Sequence, residues 1–320
     1  MKLLVQGAAS ATEIPGFGTL PKGVEVVFSK DENDLQRELP GSEALLLWDF
    51  KSRVLQQHWQ STTDLKWIQL CGAGADGVLF DELKNSDVVL TNAKGVFDRP
   101  MAETVLGYML MVAKDFRTTL DHQQSKTWQY RMTRLLKGDT ALIIGVGSIG
   151  REFARLLNSV GLKCSGAGRQ ARAGDADFDE IFASENIADI VGNFDWVIGV
   201  MPSTASTTGF FDKQIFDAMN SDAHFINMGR GTAVVESDII AALESGDIAG
   251  AMLDVFCNEP LQESDPMWET KNLFVSPHIS GDYAGFEENI IGIFKSNLDK
   301  YLSGQPLTNI VDKALGFVRS

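Results

Sequence analysis

Three residues of chemically active type each stand just past an apolar run: Arg230 after "HFINMG", Glu259 in "FCNEP" after "AMLDV", and His278 after "NLFVSP". Short apolar runs bounded by turn residues read as buried strands. In an open α/β sheet, ligands bind outside the carboxyl ends of the strands, so a cation, a carboxylate and an imidazole converge on one sheet edge. A planar guanidinium grips a carboxylate with two prongs and polarises a neighbouring carbonyl. An imidazolium donates a proton to a developing alkoxide, and a carboxylate beside it orients the ring and favours its charged form. Hydride transfer to a 2-oxo acid requires this set. Singly, each residue has a plainer reading: a packed core histidine, a surface arginine, a turn glutamate before proline. Their joint placement is what points to chemistry.

A hydride needs a carrier, and "ALIIGVGSIGREFARLL" supplies the place for one. Gly145, Gly147 and Gly150 fit G-x-G-x-x-G between an apolar strand and an amphipathic helix. Gly145 permits the tight turn, Gly147 lets backbone reach a pyrophosphate, and Gly150 allows close helix packing. Ser148 and Ile149 open the helix, whose N-terminal N–H groups face the anion. A dinucleotide with a free ribose 2′-hydroxyl is usually held by an acid about 20 residues further on. In "KCSGAGRQARAG" that place is taken by Gly168, followed by Arg169 and Arg172, with no carboxylate between Lys163 and Gly174. Guanidinium groups suit a phosphate, so the turn predicts NADP(H), with Arg169 as chief ligand of the 2′-phosphate and Arg172 as a second.

The elements that position these residues form two series. "KLLVQ", "VEVVFS", "ALLLW", "KWIQLC" and "VVLTN" predict five strands of one parallel sheet. A helix follows in "DRPMAETVLGYMLMVAKDFRTTLDH", with Asp98 as cap and Pro100 in its first turn. Its broad apolar face (Met101, Val105, Met109, Met111, Val112, Phe116, Leu120) predicts a single long, buried helix. A second series, "ALIIGV", "KCSGAG", "WVIGVM", "HFINMG", "AGAMLDVF" and "NLFVSPH", alternates with helical stretches at 214–220 and 237–244. A last helix carries Phe286, Ile290, Ile293, Phe294, Leu298 and Tyr301 on one face. The chain thus leaves its first domain and returns to it: 1–98 with 286–320 form one, 99–285 the other.

With 28 basic against 43 acidic residues and a formal net charge of −15, the chain is a poor partner for nucleic acid. Its 3 cysteines are far apart, form no C-x-x-C pair and suggest neither zinc nor disulfides. No stretch reads as a membrane span, and "MKLLVQGAAS" lacks a secretory apolar region. A cytoplasmic protein is the expectation.

"GVGSIG", "NMGRG", "LDVFCNEP" and "SPHIS" stand in the order and spacing of the D-isomer-specific 2-hydroxyacid dehydrogenase family, and "QLCGAGADGV" resembles its substrate loop. The resemblance runs from about Leu65 to the tail. It implies an α/β protein of two doubly wound parallel-sheet domains, with a Rossmann cofactor domain inserted in a flavodoxin-like substrate domain. It implies Arg230, Glu259 and His278 as the catalytic trio and Asp254 as a contact to the nicotinamide carboxamide. Backbone N–H groups around Gly72, Ala73, Gly74 and Ala75 would hold the substrate carboxylate. Pro202 and Thr207 would line the adenosine side, with Asn227 in the cofactor-facing loop. The departure is at Gly168, where many members carry Asp; glyoxylate and hydroxypyruvate reductases often show the arginines instead.

The leading reading is NADPH-dependent reduction of a 2-oxo acid to a D-2-hydroxy acid. A nucleotide-sensing interaction protein of the same fold is the alternative, and formate or phosphite oxidation fits the basic loop poorly. Trp48, Phe50, Tyr283 and Trp128 are candidates for the border of the substrate pocket, with packing in the core or at an interface as the plainer reading of each. In the resembling family the region of Trp128 and Tyr130 packs on a second subunit, which implies a homodimer.

Overall fold

Short apolar runs become the strands of two sheets, one wholly parallel and one parallel but for a single pairing. The structure is a computed structural model that describes residues 1–49 and 54–319; Phe50 lies outside the described residues. The chain divides into two units, Met1–Phe97 with Tyr283–Ser320, and Asp98–Asp282.

In the first unit, β1 (Lys2–Gln6), β2 (Glu25–Ser29), β3 (Ala44–Leu47), β4 (Trp67–Leu70) and β5 (Val89–Thr91) pair in the order β2-β1-β3-β4-β5. Every pairing is parallel. Helices α1 (Glu32–Glu38), α2 (Val54–Gln57) and α3 (Asp81–Lys84) contribute Leu35, Leu55 and Leu83 to a core with Leu4, Leu45, Leu47, Ile68 and Leu70. The last helix, Phe286–Leu302, buries Ile290, Ile291, Phe294 and Leu298. Phe294 and Tyr301 stack on Trp67 of β4, at 5.7 and 5.5 Å between centroids. The buried Asn297 amide reaches Gln69 Oε1 at 3.1 Å, so a polar bond fixes this helix in register on the sheet.

The second unit opens with α4 (Asp98–Ala113) and α5 (Phe116–Gln124), where the sequence predicts one continuous helix. Asp115 breaks it by taking the left-handed conformation at φ 49°. Arg131 stabilises the break, its Nε donating to Asp115 Oδ2 at 2.6 Å and its guanidinium also reaching the Asp115 carbonyl. The helix face divides accordingly: Met101, Val105 and Met109 are buried, whereas Phe116 and Leu120 are 49% and 57% exposed.

Beyond it come β6 (Thr140–Ile144), α6 (Ser148–Ser159), β7 (Lys163–Gly168), β8 (Arg172–Ala173), β9 (Glu180–Ala183), α7 (Ile187–Ile190) and β10 (Trp196–Gly199). Then follow α8 (Lys213–Ala218), β11 (His224–Asn227), α9 (Glu236–Ser245), β12 (Gly250–Leu253) and β13 (Leu273–Val275). The sheet order is β13-β12-β11-β10-β6-β7-β9-β8, parallel except for β8 against β9. The eleven apolar runs quoted above are all strands, whereas β8 and β9 are additions: β8 is two exposed residues, and β9 buries only Ile181.

One register row sets the site. Ala167, Ile144, Gly199, Asn227, Leu253 and Val275 are successive partners across β7, β6, β10, β11, β12 and β13. The order of strands reverses at β6, and at such a switch point the loops on either side diverge and leave a crevice.

Candidate active site

The turn after β6 is shaped by what cannot be placed there. Gly145 lies at φ 121°, and a Cβ on it would come 2.7 Å from the Val200 carbonyl oxygen. A Cβ on Gly150 would overlap the Gly145 carbonyl, while one on Gly147 would meet nothing within 4 Å. Gly147 is the N-cap of α6 and supplies no side-chain bond, so the N–H groups at Ser148 and Ile149 lie in a helix end suited to an anion. This cradle fits a dinucleotide pyrophosphate.

Gly168 ends β7; Arg169 is exposed just beyond it and Arg172 is exposed in β8. The chain then turns tightly, with Asp175 Oδ1 accepting from the N–H groups of Asp177 (3.0 Å) and Phe178 (3.3 Å). Asp175 and Asp177, the first carboxylates after the basic loop, are gripped by arginines of α6. Arg151 donates through Nη2 to Asp175 Oδ2 at 2.8 Å and through Nη1 to Asp175 Oδ1 and Asp177 Oδ2, at 3.2 and 2.7 Å. Arg155 takes Asp177 side-on at 2.9 and 3.1 Å. The Arg151 guanidinium beside Asp175 holds that carboxyl well below the usual range. These four residues are a feature that the sequence reading missed; its signal was Arg151 and Arg155 one turn apart on a helix, followed by Asp-x-Asp.

Past β10, Pro202 and Thr207 meet: the Thr207 hydroxyl donates to the Pro202 carbonyl at 2.7 Å and accepts from Thr204 N–H at 2.9 Å. Past β11, the buried Asn227 forms the turn to Arg230. Its Nδ2 donates to the Arg230 carbonyl (3.0 Å) and its Oδ1 accepts from Gly229 N–H (3.1 Å). The Arg230 side chain is half-buried, with Nη1 donating to the Gly229 carbonyl at 2.9 Å.

Past β12, Asp254 is 1% exposed. Its carboxylate reaches across to the chain after β13: Oδ1 accepts from Ser276 Oγ (2.6 Å) and Ile279 N–H (3.1 Å), and Oδ2 from Ser280 N–H (3.1 Å). These bonds fall on both sides of His278, which stands in the left-handed region at φ 56°. That conformation costs a non-glycine residue on the order of 1 kcal/mol and persists where surrounding bonds hold it. His278 Nδ1 lies 2.7 Å from Glu259 Oε2, and Glu259 Oε1 accepts from Phe256 N–H at 3.0 Å. A carboxylate on Nδ1 keeps a proton there and leaves Nε2 as the nitrogen that exchanges a proton with a ligand.

Gly72, Ala73, Gly74 and Ala75 follow β4 in the other unit. There the Gly72 carbonyl accepts from Ala93 N–H at 3.0 Å, the buried Asn92 amide donates to the Ala73 carbonyl, and the Ala75 carbonyl accepts from Val78 N–H at 3.1 Å. Trp48 and Tyr283 are half-buried in that unit, whereas Trp128 and Tyr130 are fully or largely exposed, at 101% and 85%. Among the described residues no group of three or more His, Cys, Asp or Glu is placed to hold a metal, and no helix is long and apolar enough to cross a membrane.

Residues 106–280 match the family described as "D-isomer specific 2-hydroxyacid dehydrogenase, NAD binding domain". Among solved structures, a D-isomer-specific 2-hydroxyacid dehydrogenase family protein from Aeromonas salmonicida is 28% identical with a TM-score of 0.85, covering 98% of this chain and 99% of that one. An NADPH-dependent glyoxylate/hydroxypyruvate reductase from Sinorhizobium meliloti, in complex with NADP and sulfate, is 27% identical with a TM-score of 0.85 and 99% coverage of both chains. Glyoxylate/hydroxypyruvate reductase A of Salmonella typhi is 28% identical over 264 residues, 79% of this chain and 82% of that protein.

Proposed function

The chain belongs to the D-isomer-specific 2-hydroxyacid dehydrogenase family, and from that premise we propose that it reduces a short 2-oxo acid to a D-2-hydroxy acid with NADPH. The observation that carries the reading is His278 paired with Glu259 at 2.7 Å. The pair follows strands aligned in register with the one that precedes the 145–150 turn.

NADPH, when bound, supplies the hydride. Gly145, Gly147, Ser148, Ile149 and Gly150 hold its pyrophosphate, Arg169 and Arg172 its 2′-phosphate, and Pro202 and Thr207 its adenosine side. Arg230 binds the substrate carboxylate and polarises the C2 carbonyl, since a guanidinium offers two donors in one plane. Asn227 acts through the turn it forms, aiming Arg230. His278 delivers the proton from Nε2 to the carbonyl oxygen, and Glu259 orients the ring from Nδ1. Asp254 contacts the nicotinamide carboxamide in addition to anchoring the His278 loop. The N–H groups at Gly72, Ala73, Gly74 and Ala75 are the proposed second holders of the substrate carboxylate.

NADP(H) rather than NAD(H) is supported by Arg169 and Arg172 after β7 and by the NADP held in the Sinorhizobium reductase. A homodimer is supported by exposed apolar side chains at Trp128, Tyr130, Met132 and Leu135, which a second copy would cover. The three cysteines are free thiols, which suits the cytoplasm as compartment.

The test is NADPH oxidation by the purified protein with glyoxylate, hydroxypyruvate, pyruvate and phenylpyruvate, NADH in parallel, and the solution mass of the same preparation by light scattering. Turnover with NADPH on the small acids and twice the chain mass are expected. Tight NADPH binding without turnover on any acid would replace the reductase with a nucleotide sensor.

A further inference from the structure

Of the two arginines assigned above to a 2′-phosphate, Arg169 follows β7 directly and Arg172 sits on a short, exposed strand at the sheet edge. β8 is only Arg172–Ala173, paired antiparallel with β9 through Arg172↔Ile181 and Ala173↔Glu180. Two exposed residues at a sheet edge bury too little to fix their own direction. The adjoining turn is closed by backbone bonds, Asp175 N–H to the Phe178 carbonyl at 2.9 Å and Asp179 N–H to the Cys164 carbonyl of β7 at 2.8 Å, and side chains tie it to α6. Arg151 grips Asp175 with both prongs and bridges to Asp177, Arg155 grips Asp177 from one helical turn further on, and Asn158 Nδ2 donates to the Asp177 carbonyl at 2.8 Å. The Arg151 guanidinium also lies 5.4 Å from the Phe178 ring centroid. Asp177 is 7% exposed, so this is a partly dry clasp, where paired forks hold better than at an open surface.

We propose that Arg151 and Arg155 are positioning residues for cofactor selection: they clasp the 174–179 turn to α6 and so aim Arg172 and Arg169 at a 2′-phosphate that they do not themselves touch. This rests on the reading of Arg169 and Arg172 given above. Its consequence is a coupling within one helix, since the N-terminus of α6 faces the pyrophosphate and its next turn sets the loop for the 2′-phosphate. The same clasp occupies two carboxylates that would otherwise repel that phosphate.

The experiment measures dissociation constants of NADPH and of NADH, by quenching of tryptophan fluorescence at one salt concentration, for the wild type, Arg151→Gln, Arg151→Lys and Arg155→Gln. The wild type should prefer NADPH. In Arg151→Gln the preference should fall by about tenfold, almost all of it as weaker NADPH binding, because a lost fork at a partly buried site removes a strong charge-assisted contact. Arg151→Lys, which keeps the charge but not the two-pronged grip, should fall in between. Arg155→Gln, whose guanidinium is the more exposed, gives the same direction with a smaller change and keeps the test alive if Arg151→Gln does not fold. An unaltered preference in folded variants, or equal weakening of NADPH and NADH, overturns the inference while leaving the cofactor assignment standing. A wild type that binds the two alike overturns the assignment itself, and the inference with it.

Discussion

His278 holds its backbone at φ 56° and its Nδ1 at 2.7 Å from Glu259, so its orientation is set twice, from the side chain and from the main chain. The main-chain part is the work of Asp254, which accepts from Ser276 on one side and from Ile279 and Ser280 on the other. Asp254→Asn leaves one carbonyl oxygen where two oxygens accept and sets an NH2 against N–H donors. An unsatisfied buried N–H costs about 1–3 kcal/mol. The expected outcome is a lower melting temperature and a kcat reduced by about tenfold or more, because a proton donor displaced by a fraction of an ångström loses its geometry. An unchanged kcat in steady-state assay would show that His278 keeps its place without Asp254. The types and strand-end positions of Arg230, Glu259 and His278 were legible from the sequence, because apolar runs end where loops begin. The duties of Asp254 and Asn227 toward their loops were not, since they depend on which strand lies beside which.

At the level of elements, eleven strands were readable because each is a compact apolar run, and the turn after β6 because glycine is required where a Cβ would strike the Val200 carbonyl. The bend at Asp115 was not readable: no glycine or proline marks it, and the Arg131 that stabilises it comes from beyond α5. Strand β11 carries a test of its own. His224 stacks on Trp196 of β10 at 4.9 Å, and its Nδ1 lies 3.2 Å from the Tyr108 hydroxyl of α4. Burial, aided by the positive charge of Arg134, pushes its pKa down to about 4. An unfolded histidine titrates at about 6.5. Between those values the unfolded chain binds a proton that the folded chain refuses, so this residue costs stability as pH falls through that window, on the order of 3 kcal/mol by its lower end. His224→Gln should therefore show a shallower loss of melting temperature between about pH 6.5 and pH 4 than the wild type. Parallel curves would mean that His224 is protonated in the folded state.

For the whole molecule, the chain leaves its first unit after Phe97 and returns at Tyr283; apart from the family resemblance, the sequence signs of this were two helices bracketing a second series of strands. The net charge of −15 sets up a repulsive average field for anions, so the proposed function relies on local groups, Arg169, Arg172, Arg230 and backbone N–H groups, to hold a phosphate or a carboxylate. That the protein uses these local groups to reduce a 2-oxo acid, with His278 as proton donor, is most directly tested by comparing His278→Ala with the wild type in NADPH oxidation on glyoxylate, alongside the dissociation constant of NADPH. A kcat lowered by about a hundredfold or more with cofactor affinity within about twofold is predicted. A kcat near that of the wild type would contradict the assignment of His278 and the mechanism built on it.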